Sequence, residues 1–309
     1  MSTVPEAPTY RSGNTSVAPL ISTPASARAA ALQFLDTLAA EVSSGNVDLP
    51  CFPNIVIQIR NTLADPATTP ETTVRIVGAE PRLTARLLQT ANSAAFNQSG
   101  KPLTDLRSAI TRLGHQLVQS AAMAFAVQHM KNEQSLRSVT DQLSELWKDS
   151  ITVASICLVL ARRSKVSPEE AFLTGLLHGI GAMYIIVRAV GKLGEFGDQA
   201  SFMDTISGWH ASIGKAVLEN WGFAEEIAEA VGEQNGRDRE LKRNHEADLT
   251  DILIVAVTLA EAQKKPQPRT VEIDGHGSFA ALRLTTQHCD AIMAHAERQL
   301  GSLQQALGC

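Results

Sequence analysis

Apolar residues return at helical spacing through most of this chain, and the segments between them are short and polar. In PRLTARLLQTANSAAF, Leu83, Leu87, Leu88 and Ala91 fall on one face, and Pro81 suits a first helical turn. An earlier helix, ARAAALQFLDTLAAEVSSG, is predicted with Ser26 as its cap and Gly45 as its stop. LRSAITRLG ends on Gly114, a natural C-terminal glycine. HQLVQSAAMAFAVQHM and LSELWKDSITVASICLVLARRS are long and amphipathic. Ser167 then caps a helix whose first position is Pro168 and which carries AFLTGLLHGIG. WHASIGKAVLENWGF and AEEIAEAVGEQ form a further pair. DILIVAVTLAEA is apolar on nearly every side, which predicts a central buried helix. The last helix lines up Cys289, Ile292, Met293, Ala296, Leu300 and Leu303.

The polar stretches GRDRELKRNHEADLT and KKPQPRTVEIDGHGS read as loops, with VEI at most one short strand. Residues 1–26 are rich in Ser, Thr, Pro and Ala without a hydrophobic period and read as a flexible tail. No period of 20–50 residues repeats, so a solenoid is not expected. The expectation is an all-α protein of two packed helical sub-bundles, residues 27–133 and 134–309.

Composition narrows the function classes. The chain is 44% hydrophobic and 19% charged, enough for a sizeable core, and its aromatic share of 5% disfavours a β-sandwich. A net charge of −5 gives no general attraction to nucleic acid or acidic lipid. No uncharged apolar run of membrane length and no signal peptide is seen, so a cytoplasmic, non-inserted protein is expected. Cys51, Cys157, Cys289 and Cys309 are scattered and form neither a zinc spacing nor a disulfide framework. Gly179-Ile180-Gly181 lacks the strand and third glycine of a dinucleotide turn, and Ser120 sits on no nucleophile elbow.

Chemistry-bearing residues are few. His178 closes an apolar helix at a Gly-Ile-Gly bend that is expected to expose its ring. His210 follows Trp209, Asp149 follows Trp147, and Glu261 stands late on the apolar helix. Four helices can bring such groups together in a bundle core. A lone histidine in an apolar helix is more often a satisfied core residue, and spacing alone leaves both readings open. Asn92 and Ser93, late on a packed helix, read as a local cap or as a partner surface. Trp147 and Trp221 read as packing anchors or as the lining of a groove between the halves.

In sequence order, the motifs resemble the HDOD family, the HD-related output domain of bacterial signalling. They are LPCFP at 49–53, Glu80-Pro81 with Leu83 to Leu88, Ala91-Asn92-Ser93, Ala109-Ile110 with Leu113-Gly114, and Trp147. Ala171-Phe172, Gly175-Leu176-Leu177-His178, His210, Gly214 and Trp221 follow. The resemblance implies kinship with HD-domain phosphohydrolases, whose His-Asp doublet works because neighbours on a helix end diverge by roughly 100°. One side chain then binds a metal and the other binds or bridges a second. Here the doublet is His178-Gly179. By the same resemblance an earlier ligand histidine falls at Asp149, a downstream histidine pair at Gln234-Asn235, and the late acid at Glu261.

The resemblance therefore implies a vestigial site at Asp149, His178, Gly179, His210 and Glu261, with no metal, no cofactor and no catalysis. The expected role is signal output through protein partners, in motility, stress, virulence or second-messenger regulation. A small nucleotide ligand is a further possible partner. Two alternatives are a metal-dependent phosphohydrolase acting on nucleotides, and a sensor that binds a nucleotide or cyclic dinucleotide without cleaving it. No receiver, GGDEF, EAL or kinase segment is seen, so input is expected from another molecule.

Overall fold

A computed structural model describes residues 24–45, 47, 53–65, 67–97, 100–236, 246–264 and 276–307. Among these the chain is all-α, with no strand. The tail 1–23, the Leu49–Phe52 part of LPCFP, the 237–245 loop segment and the VEI stretch lie outside the described residues, as do Cys51 and Cys309.

Local chemistry explains most helix boundaries. Helix α1 (Pro24–Ser43) starts two residues before the predicted cap Ser26, and the chain leaves it at Gly45 with φ 81°. Helix α2 (Asn54–Ala64) follows Pro53, whose extended backbone keeps it outside the helix. Helix α3 (Pro70–Gly78) is capped by the Thr69 hydroxyl, which accepts from the Thr72 N–H. Helix α4 (Pro81–Asn92) opens on Pro81, with the Glu80 carboxylate accepting from the Arg82 N–H. Leu83, Leu87 and Ala91 are buried on its inner face, while Leu88 is half-buried at the margin.

Helix α5 (Leu106–Lys131) is capped by Asp105. Gly114, at φ 70° and ψ 178°, ends its first part as predicted, and the second predicted helix starts at once behind it across a kink. After a 3-10 turn at Gln134–Val139 come α6 (Thr140–Ala161) and α7 (Pro168–Leu177). Ser167 caps α7 as expected, its hydroxyl 3.2 Å from the Glu170 nitrogen. The remaining helices are α8 (Ile180–Arg188), α9 (Gln199–Ser207), α10 (His210–Asn220), α11 (Glu225–Glu233), α12 (Leu249–Lys264), α13 (Gly277–Ala281) and α14 (Thr286–Leu307).

The core centres on α6, which packs against α7, α12 and α14. Trp147 on α6 is 1% exposed, and its indole N–H points to the Leu307 carbonyl at 3.4 Å. It anchors α14, the packing role read for it from the sequence. Ser155 adds a second tie, donating to the Ala296 carbonyl at 3.1 Å. Helices α2 to α5 pack on one another, and α14 touches both α4 and α5, which joins this group to α6. Helix α1 precedes them in sequence but packs on α9 and α10. The Arg188 guanidinium on α8 reaches Glu41 at 2.6 Å, and Asn220 on α10 donates to the Val42 carbonyl at 3.0 Å.

One sequence expectation needs correction. Pro168–Arg188, spanning α7 and α8, is long and apolar enough to cross a membrane, although none was expected to be. Its most apolar window is 89% buried among the other helices, and His178-Gly179 divide it into two helices at an angle. Burial in a protein core accounts for its hydrophobicity.

Candidate functional site, a histidine corner without its carboxylate

The corner between α7 and α8 is built by close helix approach. A Cβ added at Gly175 on α7 would lie 2.6 Å from the Ala154 Cα of α6. One added at Gly181 on α8 would lie 1.9 Å from the His210 carbonyl oxygen and 2.6 Å from the Gly214 nitrogen of α10. Backbone therefore meets backbone at both crossings, and these glycines bring α6, α7, α8 and α10 around His178.

His178 sits at the end of α7, half-buried rather than exposed as the bend had suggested. Its Nδ1 lies 2.8 Å from the Gly175 carbonyl, which only accepts, so Nδ1 carries the proton. Burial pushes its pKa down to about 4; the bond to Gly175 opposes that shift, nearby His210 adds to it, and Asp149 and Lys264 act in opposite directions. The ring is neutral at pH 7, with the Nε2 lone pair free to accept.

His210 repeats the arrangement at the start of α10. Its Nδ1 donates to the Ser207 carbonyl at 2.9 Å, burial lowers its pKa, and the Glu261 charge works the other way. Asp149 on α6 and Glu261 on α12 are thus within electrostatic range of the two rings. Asp149 is taken by a partner the sequence did not suggest: Lys264 Nζ, at the end of α12, is 2.6 Å from its Oδ2.

Gly179 has φ −86° and ψ 0°, a conformation open to other residues, so backbone does not require glycine there. Space does constrain it. An added Cβ would stand 3.0 Å from the Ser150 hydroxyl of α6, which is itself buried without a hydrogen-bond partner. Gln234, at the end of α11, closes the corner from another side. Its amide donates to the His178 carbonyl at 3.0 Å and the Val231 carbonyl at 2.9 Å, leaving its own buried oxygen unpaired. Asn235 faces solvent.

An HD-type metal centre does not fit these residues. Among the described residues no three His, Cys, Asp or Glu side chains stand close enough to share an ion. The doublet lacks its acid, and Asp149 already faces an ammonium. The chemistry left is two neutral imidazoles, each holding its proton on a backbone carbonyl.

The other singled-out residues lie elsewhere. Ser93 ends α4 with its hydroxyl on the Thr90 carbonyl, a local cap. Asn92 instead bonds eleven residues on, its amide to the Leu103 carbonyl at 2.8 Å and its oxygen to the Leu103 N–H at 2.7 Å. Trp221 follows α10 and, with Phe223, lines a small apolar notch against Val56 and Ile59 of α2 and Gln119, Ala122 and Met123 of α5. Lys264 and Ser150 gave no sequence signal, because each matters through a neighbour distant in the chain.

These features define an all-α domain whose α7–α8 corner carries His178 followed by Gly179. The family model of the HDOD domain matches residues 49–236. The chain belongs to the HDOD domain family. Its fold is shared with solved structures at low identity. One is a candidate metal-dependent phosphohydrolase from Shewanella amazonensis SB2B, at 20% identity and TM-score 0.69, covering 89% of this chain and 99% of that one. Another is an HDOD domain protein of unknown function from Geobacter sulfurreducens, at 21% identity and TM-score 0.56, covering 89% and 98%. A third is a candidate signal transduction protein from Marinobacter aquaeolei VT8, at 20% identity and TM-score 0.58, covering 93% and 68%. No curated protein shows significant similarity to the chain.

Proposed function

We propose that this protein is a non-catalytic output component of bacterial signalling that acts through protein–protein contact in the cytoplasm. The observation that carries the proposal is the crowding at Gly179. The position that supplies a carboxylate in a metal-dependent hydrolase is here pressed against the Ser150 hydroxyl, 3.0 Å from where a Cβ would stand. Hydrolysis of a phosphodiester requires a water activated by cations or by a poised base. Gly179 offers no acid, and Asp149 is neutralised by Lys264.

The notch of Trp221 and Phe223 supports the interaction half of the reading. It opens where the α2–α5 group meets the end of α10, and its apolar lining suits contact with an apolar group of a partner. A partner seated there bears on both groups of helices at once and so biases their packing. The direct test is turnover. Purified protein with Mn2+ or Fe2+ is expected to leave cyclic dinucleotides and bis(p-nitrophenyl) phosphate intact, while crosslinking in cells yields a partner that Trp221→Ala loses. Cleavage that disappears in His178→Ala would overturn the reading.

A further inference from the structure

Helices α12 and α14 both pack on α6, and between them runs an open groove of about 190 Å³. Its floor is apolar. Leu259 and Ala262 of α12 and Cys289 of α14 are buried there, with Met293 half-buried beside them. Its rim is acidic, since Asp290 and Glu297 line it and both are exposed. Among the described residues no lysine or arginine joins the lining.

The fold does not use up either acid. Asp290 makes no hydrogen bond or ion pair among the described residues. Glu297 accepts through Oε1 from the Gln263 amide, at 2.8 Å across the groove, which leaves Oε2 open. Lys264, the next residue along α12, is held by Asp149 at 2.6 Å and brings no counter-charge.

Spacing then sets the chemistry of an occupant. Asp290 and Glu297 are seven residues apart on one helix, which is two turns, or about 10 Å along the axis. Met293 and Ala294 lie between them in sequence and also line the groove. A methylene chain suits that apolar middle, and an ammonium suits each end. A phosphate or carboxylate ligand is disfavoured, because it would meet two acids and no cation. The space is sufficient, since an apolar cavity of about 150 Å³ already holds benzene.

We propose that the α12–α14 groove binds a linear aliphatic diamine, its chain laid over Leu259, Cys289 and Met293 and its two ammoniums on Asp290 and Glu297. The site lies beyond residue 236, where the family match ends, and is independent of the histidine corner and of the Trp221 notch. A diamine seated there touches α12 and α14 at once. It therefore stabilises the folded chain in proportion to its binding.

The experiment uses the full chain labelled with methyl-13C methionine. It follows the Met293 methyl signal, assigned with Met293→Leu, as octane-1,8-diamine is added. The signal is expected to shift to saturation, and the melting temperature to rise. The diamine is expected to bind at least fivefold tighter than octylamine or octane-1,8-diol. Asp290→Asn combined with Glu297→Gln is expected to remove that preference, with the fold unchanged by circular dichroism. Ala294→Trp, which fills the groove from an exposed position, is expected to abolish the shift. A wild-type Met293 signal that does not saturate would overturn the proposal. So would equal binding of the diol, or a preference for the diamine that survives loss of both acids.

Discussion

Gln234 donates its side-chain amide to the backbone carbonyl of His178 over 3.0 Å, tying the end of α11 to the end of α7. The same amide reaches the Val231 carbonyl, while its oxygen is buried with no partner. Gln234→Ala leaves the His178 carbonyl unanswered in a packed corner, with a loss of about 1–3 kcal/mol expected from urea denaturation. Gln234→Glu is expected to cost more, because it loses the same donors and also buries a carboxylate charge against two carbonyl oxygens.

The histidine sets a pH dependence of stability. Folding lowers the His178 pKa from 6.5 to about 4, so above pH 6.5 the ring is neutral in both folded and unfolded chains. As pH falls from 6.5 the unfolded chain takes up a proton that the folded protein refuses. Stability present above pH 6.5 therefore declines, and this contribution is gone once the pH has passed about 4. The full loss is about 3 kcal/mol at roughly 1.36 kcal/mol per pKa unit. Urea midpoints between pH 7.5 and 5 are expected to fall, and His178→Asn, which keeps a donor for Gly175, is expected to flatten the slope.

Ser150 and Gly179 form a pair that a mutant cycle can separate. Gly179→Ala presses a methyl onto the Ser150 hydroxyl and is expected to cost on the order of 1 kcal/mol. Ser150→Ala removes a buried hydroxyl without a partner and is expected to be neutral or slightly stabilising. In the double variant the cost at 179 is expected to shrink, a non-additivity visible in melting temperature.

The crossing of α8 and α10 is less forgiving. At Gly181 a methyl would overlap the His210 carbonyl, so Gly181→Ala is expected to lose more than about 3 kcal/mol or to fail to fold. Gly194→Ala provides the control. Nothing lies within 4 Å of its added Cβ, and the substitution is expected to be neutral or to gain a few tenths of a kcal/mol.

Asn92 fixes the segment after α4 through two hydrogen bonds to Leu103. Asn92→Ala is expected to cost about 1–3 kcal/mol and to raise hydrogen exchange around residues 101–106 before elsewhere. Unchanged exchange there would show that the segment is held by other contacts.

Which of these features was legible in the sequence follows from chain distance. The Leu83–Leu87–Ala91 stripe, the Ser167 cap, Pro81 and the burial of Ile252 to Ala256 all rest on neighbours within a few turns, and periodicity exposes such relations. Gly114 was read correctly as a helix end, because a glycine at positive φ stops one helix even where another starts directly behind it. The corner was legible as a set of residues through family resemblance, since His178, His210, Asp149 and Glu261 do come within electrostatic reach. Its charge balance was not. Asp149 and Lys264 are 115 positions apart, and no local pattern couples the end of an apolar helix to one acid on another. The shielding of His178 was also missed, because the bend suggested an open terminus while α11 and Gln234 close over it.

The bonds from Glu41 and Val42 to Arg188 and Asn220 give α1 an unusual lever arm. A load on that first helix therefore reaches the helix carrying His210 directly through the Val42–Asn220 bond, and not only through the α2–α5 group.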